Sequence, residues 1–95
     1  MIKYNDFENV TDEVIVFTND LLNKLNKIPN RITDTVEQGL CLVFKNNTKV
    51  LYLEIYNDGE KGYIIEDFKE KIILKNEVVF TSYEIVSVIN EFMNL

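Results

Sequence analysis

Three groups of side chains have the types from which chemistry is built. Glu66, Asp67 and Glu70 lie close together after an alternating apolar stretch. Asp67-Phe68-Lys69 matches the acidic-x-lysine end of a metal-dependent nuclease motif, with Glu54 available as the upstream acid. Such a set would hold a divalent cation and activate water beside a phosphate. A three-residue match arises by chance among 16 acidic and 10 basic residues, and a net charge of −6 opposes approach to a phosphate backbone. Metal-dependent hydrolysis is therefore the weakest of three function classes, and no metal or cofactor is expected. Asn57-Asp58-Gly59-Glu60 offers oxygen ligands beside a glycine, but without the length and ligand count of an EF-hand; a hairpin turn accounts for these residues.

The third candidate is Cys41, the one cysteine, in a chain with no histidine. Without histidine, Ser-His-Asp and Cys-His nucleophiles and HExxH zinc sites cannot be built. Cys41 stands among Leu40, Leu42 and Val43, where a free cysteine serves as a small packing residue. Thr81 and Ser82 read as helix capping, and three isolated glycines make no phosphate loop. The side chains therefore favour binding over catalysis.

The elements that must position these groups follow from periodicity. Val14, Phe17, Leu21, Leu25 and Ile28 recur at helical spacing, which predicts a helix from about Thr11 to Ile28. Thr11 is its cap, Asp12 and Glu13 suit its positive end, Val10 staples onto Ile15, and Pro29-Asn30 stops it. Alternation then takes over: a short strand within 32–36, strands at 39–45 and 48–57 about an Asn46-Asn47 turn, and a strand at 61–66 after Asp58-Gly59. With those turn centres, Leu42 faces Leu51, Leu40 faces Leu53 and Leu53 faces Ile64, which places all five on one face. Residues 72–75 and 78–80 add one or two short strands. A last helix spans Ser82 to about Asn94, with a Thr81/Glu84 capping box, a Phe80–Ile85 staple, and an apolar stripe of Ile85, Val88, Ile89, Phe92 and Leu95. The expected fold is a single α+β domain over 1–95: two layers, with an antiparallel β-meander of 4–5 strands flanked by N-terminal and C-terminal helices.

The same register gathers Cys41, Val43, Val50, Tyr52, Tyr63 and Ile65 on the opposite face, near Glu54 and Tyr56. Tyrosines on an aliphatic sheet surface bury much area while keeping a polar tip, a character shared with contact surfaces. This face would be covered if the two helices lay on opposite sides of the sheet, or if the N-terminal arm (Ile2, Tyr4, Phe7) folded across it. Left open, it would dock a partner or a second copy.

The chain is 46% hydrophobic and 27% charged, as in ordinary globular domains, and no apolar run approaches the roughly 20 residues of a membrane helix. The first residues, Met1 to Asp6, have no basic segment ahead of an apolar core, so a cytoplasmic location without membrane association is expected. One arginine, Arg31, and scattered lysines give no footprint for direct nucleic-acid binding. Excess negative charge keeps a protein dispersed; it also steers encounter with basic surfaces.

Gly39-Leu40-Cys41-Leu42-Val43-Phe44, then Val50 to Tyr56 and Asp58-Gly59, with Pro29 ten residues before Gly39, resemble a group of small uncharacterised bacterial and phage α+β proteins. Those have a helix, a proline, a glycine-apolar-x-apolar-x-aromatic strand and an Asp-Gly hairpin. The resemblance covers about half the chain and departs at Val43 and Phe44, where those proteins tend to have Glu and Trp. It implies an α+β fold in a bacterial or mobile-element setting and carries over no catalytic residue.

The expected function is that of a non-catalytic acidic binding protein that inhibits or neutralises a basic protein partner, of the antitoxin, immunity or phage anti-defence type, including anti-CRISPR. Its contact residues are expected to be Tyr52, Glu54, Tyr56, Asp58, Glu60, Tyr63, Glu66 and Asp67. The alternative is a structural homodimerisation domain.

Overall fold

The computed structural model describes residues 2–94. The order of elements is α1 (Asp12–Lys24), β1 (Arg31–Asp34), β2 (Gly39–Asn46), β3 (Lys49–Tyr56), β4 (Lys61–Asp67), β5 (Ile72–Val78) and α2 (Ser82–Met93). The five strands form one antiparallel sheet in sequence order, β1-β2-β3-β4-β5. The α+β meander expected from periodicity is therefore the fold. Among the described residues no helix is long and apolar enough to cross a membrane.

Each helix is set by its cap. Thr11 Oγ1 accepts the Val14 N–H at 3.4 Å, and Val10 and Ile15 are both buried. Thr81 and Glu84 form the reciprocal capping box. Two details differ from expectation. The first helix ends at Lys24, because Leu25 is already extended and buried. Ile28, the residue before Pro29, is held off the α conformation by the proline ring and is 91% exposed. Phe80 is also turned to solvent at 74% exposure instead of stapling onto buried Ile85. Leu95 of the expected stripe lies outside the described residues.

Both helices pack on one side of the sheet. Their buried residues (Val14, Ile15, Leu21, Ile85, Ile89, Phe92) share a single cluster with Leu40, Leu42, Phe44, Leu51, Leu53, Ile55, Tyr63 and Ile65. The N-terminal arm joins the same side: Ile2 is buried there, with its backbone N–H and C=O clamped by the Asn19 amide at 2.9 and 2.8 Å. Neither expected cover therefore lies on the opposite face.

The hairpins fix which side chains point which way. Between β2 and β3 the turn residues are Asn47 and Thr48, so Leu42 pairs with Leu53 and Leu40 with Ile55. This is one residue beyond the expected turn centre, and it leaves the faces of both strands as predicted. Between β3 and β4 the loop has three residues, 57–59, closed by Tyr56 N–H to Glu60 C=O at 2.9 Å. Gly59 takes the left-handed position at φ 94°. Leu53 therefore faces Tyr63, not Ile64. That odd shift reverses β4: Tyr63 and Ile65 enter the helix-side core, and Ile64 moves to the other face. At the first hairpin, residues 36–38 make the loop, so β1 stops at Asp34 and Val36 is 97% exposed.

Candidate functional site

The face without helices is built from three cross-strand rows. Arg31, Val43, Tyr52, Ile64 and Asn76 form one; Thr33, Cys41, Glu54, Gly62 and Val78 the next; Lys45, Val50, Glu66 and Ile73 the third. Val43 and Val50 are each 2% exposed although they stand outside the helix-side cluster. Their cross-strand neighbours are Arg31, Tyr52, Lys45 and Glu66, side chains with stems long enough to shield them from water. The open face thus has buried aliphatic residues, Val43 and Val50, among half-buried Tyr52, Glu54 and Glu66 and exposed Arg31 and Lys45.

A cleft of about 580 Å³ is cut into one end of this face. Gly62 supplies no side chain in its row, so the gap between Glu54 and Val78 is floored by backbone. Glu54, Tyr56, Ile64, Asn76, Val78 and Phe80 line the gap, and the 57–59 hairpin with Glu60 closes its end. Tyr56 Oη donates a hydrogen bond to Glu54 Oε2. Burial and this bond hold the phenol proton, pushing its pKa well above the usual tyrosine range. The hairpin itself is braced: Asn57 Oδ1 accepts the Thr11 N–H at 3.0 Å and Asn57 Nδ2 donates to Asn9 C=O at 2.8 Å. Asp58 Oδ1 accepts the Glu60 N–H at 2.9 Å. Lys61, the basic residue of the rim, turns away, bonding Gly59 C=O at 3.0 Å and lying 4.7 Å from the Phe17 ring centroid. The cleft therefore presents Glu54, Asp58 and Glu60 beside apolar walls. This combination suits a cationic side chain with an apolar stem, such as arginine or lysine.

Of the eight contact residues expected from sequence, Glu54, Tyr56, Asp58 and Glu60 meet at this cleft. Tyr52 lies beside it on the open face, and Glu66 is on the same face but opposite Val50, toward the far end of β4. Tyr63 is a correction, being 7% exposed within the core. Asp67 is another. It is an Asx-turn residue whose carboxylate accepts the N–H groups of Lys69 and Glu70 at 3.1 and 3.0 Å and the Thr48 hydroxyl at 3.4 Å. The Glu70 N–H, foremost among these, lowers its pKa. Asp67 pairs with Lys49 while Glu54 pairs with Gly62, five positions apart along β3, or about 17 Å at the rise of a strand. The Glu54–Asp67–Lys69 set is not brought together. Ile64, Gly62, Val78 and Phe80 were missed; recognising a three-residue Asn-Asp-Gly loop would have placed Ile64 and Gly62 here.

Cys41 lies in the middle of this face beside Glu54. Burial and then the Glu54 charge, offset in part by Arg31, push its thiol up to about 11. The thiolate is the nucleophile, so the side chain is inert near neutrality. Its alkylation rate should climb with pH to an inflection near 11, and Glu54→Gln should move that inflection down by removing a negative neighbour. An unchanged inflection in the variant would show that Glu54 does not act on the thiol. The sign for stability is the same: the folded thiol keeps its proton up to about 11, whereas the unfolded one releases it near 9.0. This contribution is whole below pH 9.0 and is lost as pH rises to about 11.

A second cleft, of about 710 Å³, lies between the N-terminal arm, the end of α1 and Pro29, lined largely by Ile2, Phe7, Leu22, Leu25 and Ile32. Its Asn19 amide is already engaged by Ile2, and among the described residues Asp6 and Lys27 are its charged side chains. The larger cleft therefore has less directed polarity than the one on the open face. Comparison with protein-family models, curated proteins and solved structures returned no match for this chain.

Proposed function

We propose that this protein is a non-catalytic binding module whose open sheet face docks a basic surface of another protein and so inhibits or neutralises it, in the manner of an antitoxin, an immunity protein or a phage anti-defence factor. The observation that carries this reading is the acidic cleft of the open face. Tyr52, Ile64 and Val78 offer aromatic and aliphatic contact area next to Glu54, Asp58 and Glu60. In such an arrangement the aromatic and aliphatic groups supply most of the affinity, while the carboxylates speed encounter and select a cationic partner. The net charge of −6 acts in the same direction at longer range.

The test begins with capture of partners from a bacterial lysate, followed by binding measurements on the purified pair. Tyr52→Asp is expected to weaken binding by about 30-fold, the scale of a central aromatic contact. Glu54→Lys with Glu60→Lys should lower the association rate and flatten its salt dependence. A captured partner whose affinity survives both changes would bind elsewhere, and the open face would lose this role.

A further inference from the structure

The sheet has two edges, and they differ. β1 is four residues long and begins and ends on charges, Arg31 and Asp34. β5 runs Ile72-Ile73-Leu74-Lys75-Asn76-Glu77-Val78, and all seven residues are exposed. Ile73 and Val78 are 62% and 66% exposed, and Phe80 beyond them 74%. A long apolar edge with unpaired backbone groups is a template for another strand.

The backbone phase of that edge follows from one bond. The Val79 N–H donates to Lys61 C=O at 3.0 Å, so Val79 turns its polar groups toward β4. Along an antiparallel ladder the direction alternates, so Glu77 and Lys75 also turn inward, while Asn76 and Val78 turn their N–H and C=O groups out to the edge. A second β5 can bond only if its outward residues oppose these. Between the β-bulge at Leu74 and the end of β5, centres at 75, 76 and 77 give three two-fold antiparallel registers. Centred on Lys75 it sets lysine against lysine, and centred on Glu77 it sets glutamate against glutamate; either opposition is unfavourable. Centred on Asn76, the two Asn76 residues exchange backbone bonds across the axis, and Lys75 lies opposite the partner's Glu77 in a non-bonded pair, where side chains approach closest. Lys75 and Glu77 share the helix side of the sheet, since they pair with Ile65 and Tyr63 of the core. The opposite charges therefore meet on one face.

We propose that two copies of this chain associate through β5, edge to edge and antiparallel, with the two-fold axis at Asn76. The helices stay on one side of a continuous sheet twice as wide, and the open faces join on the other. Val78, Asn76 and Phe80 line the acidic cleft, so each cleft lies beside the two-fold axis. The β-bulge at Ile65/Glu66 bends the edge beyond Leu74 and limits the regular ladder to the segment around Asn76. This dimer stands independently of the proposed docking partner.

Sedimentation equilibrium of the purified full chain, from micromolar to millimolar concentration, tests it without any other protein. A dimer is expected. Lys75→Glu should raise its dissociation constant by about tenfold or more, because two attractive pairs become repulsive. Adding Glu77→Lys to that change should restore the dimer. Asn76→Pro should also yield a monomer with an unchanged circular dichroism spectrum, since the donor it deletes faces away from β4. A wild-type chain that stays monomeric throughout would overturn the proposal, as would a dimer indifferent to Lys75→Glu.

Discussion

Tyr63→Asp is expected to destabilise the fold by about 4 kcal/mol or more, whereas Tyr52→Asp should cost about 1 kcal/mol. The two tyrosines stand on adjacent strands and have similar neighbours in sequence, yet they differ in face. Tyr63 is 7% exposed, paired with Leu53 and packed under the helices. Its replacement removes an aromatic ring from the core and puts a carboxylate beneath the helices among apolar side chains. A loss of that size rivals the whole stability of a domain of this length, roughly 5–15 kcal/mol. Tyr52 is half-buried on the open face, where aspartate reaches water. Urea titrations of the two variants make the comparison. Equal midpoints would mean that β4 presents its other face to the helices.

That contrast also marks how far the sequence could be read. Helix caps and strand alternation carry local signals, so α1, α2 and strands β1 to β4 were legible, as was the antiparallel order. Register depends on the loop. Asn-Asp-Gly admits either a two-residue turn centred on Asp58-Gly59, with positive φ at both residues, or a three-residue loop with positive φ at Gly59 alone. Gly59 stands at φ 94° while Asp58 has no positive φ, which is the second. Because side chains alternate with period two, a shift of one residue exchanges the faces of β4. A shift of the turn centre between β2 and β3 by one residue moves each pairing by two positions and changes no face, so Leu40, Leu42, Leu51 and Leu53 were placed correctly.

The site was legible to the extent that it depends on β3 and its hairpin. Tyr52, Glu54 and Tyr56 share one face by alternation alone, and Asp58 and Glu60 follow them in the chain. What β4 and β5 contribute was hidden. Gly62 and Ile64 carried the wrong face, and Val78 and Phe80 gave no sign that β5 continues through the Lys-Asn-Glu segment as one edge strand. Asp67 shows the opposite failure. Its acidic-x-lysine context suggested chemistry, while its carboxylate serves the turn into β5 through the N–H groups of Lys69 and Glu70.

Gly39→Ala is expected to lower stability by about 3 kcal/mol, the upper part of the range for overpacking a tight site. A Cβ on Gly39 would lie 2.3 Å from Ile55 O and 2.8 Å from Tyr56 Cα. Both obstacles are backbone, so no side-chain rotation relieves the overlap. The only escape is to part β2 from β3 at the register Gly39↔Tyr56. That movement would also loosen the bond from Asn57 N–H to Gln38 C=O, 3.0 Å long, and with it the hairpin that carries Asp58 and Glu60. Gly59→Ala is the informative control: there a Cβ meets nothing within 4 Å, and the cost comes from the left-handed φ of 94° alone, on the order of 1 kcal/mol. Thermal and urea unfolding of the two variants should therefore rank Gly39→Ala well below Gly59→Ala. The reverse order would mean that β2 and β3 are not so closely apposed, and that the hairpin end of the open face depends on turn conformation instead. Gly39 is thus required by contact between strands and Gly59 by torsion; the first bears on the acidic rim of the cleft through the strand pair, the second from within the hairpin itself.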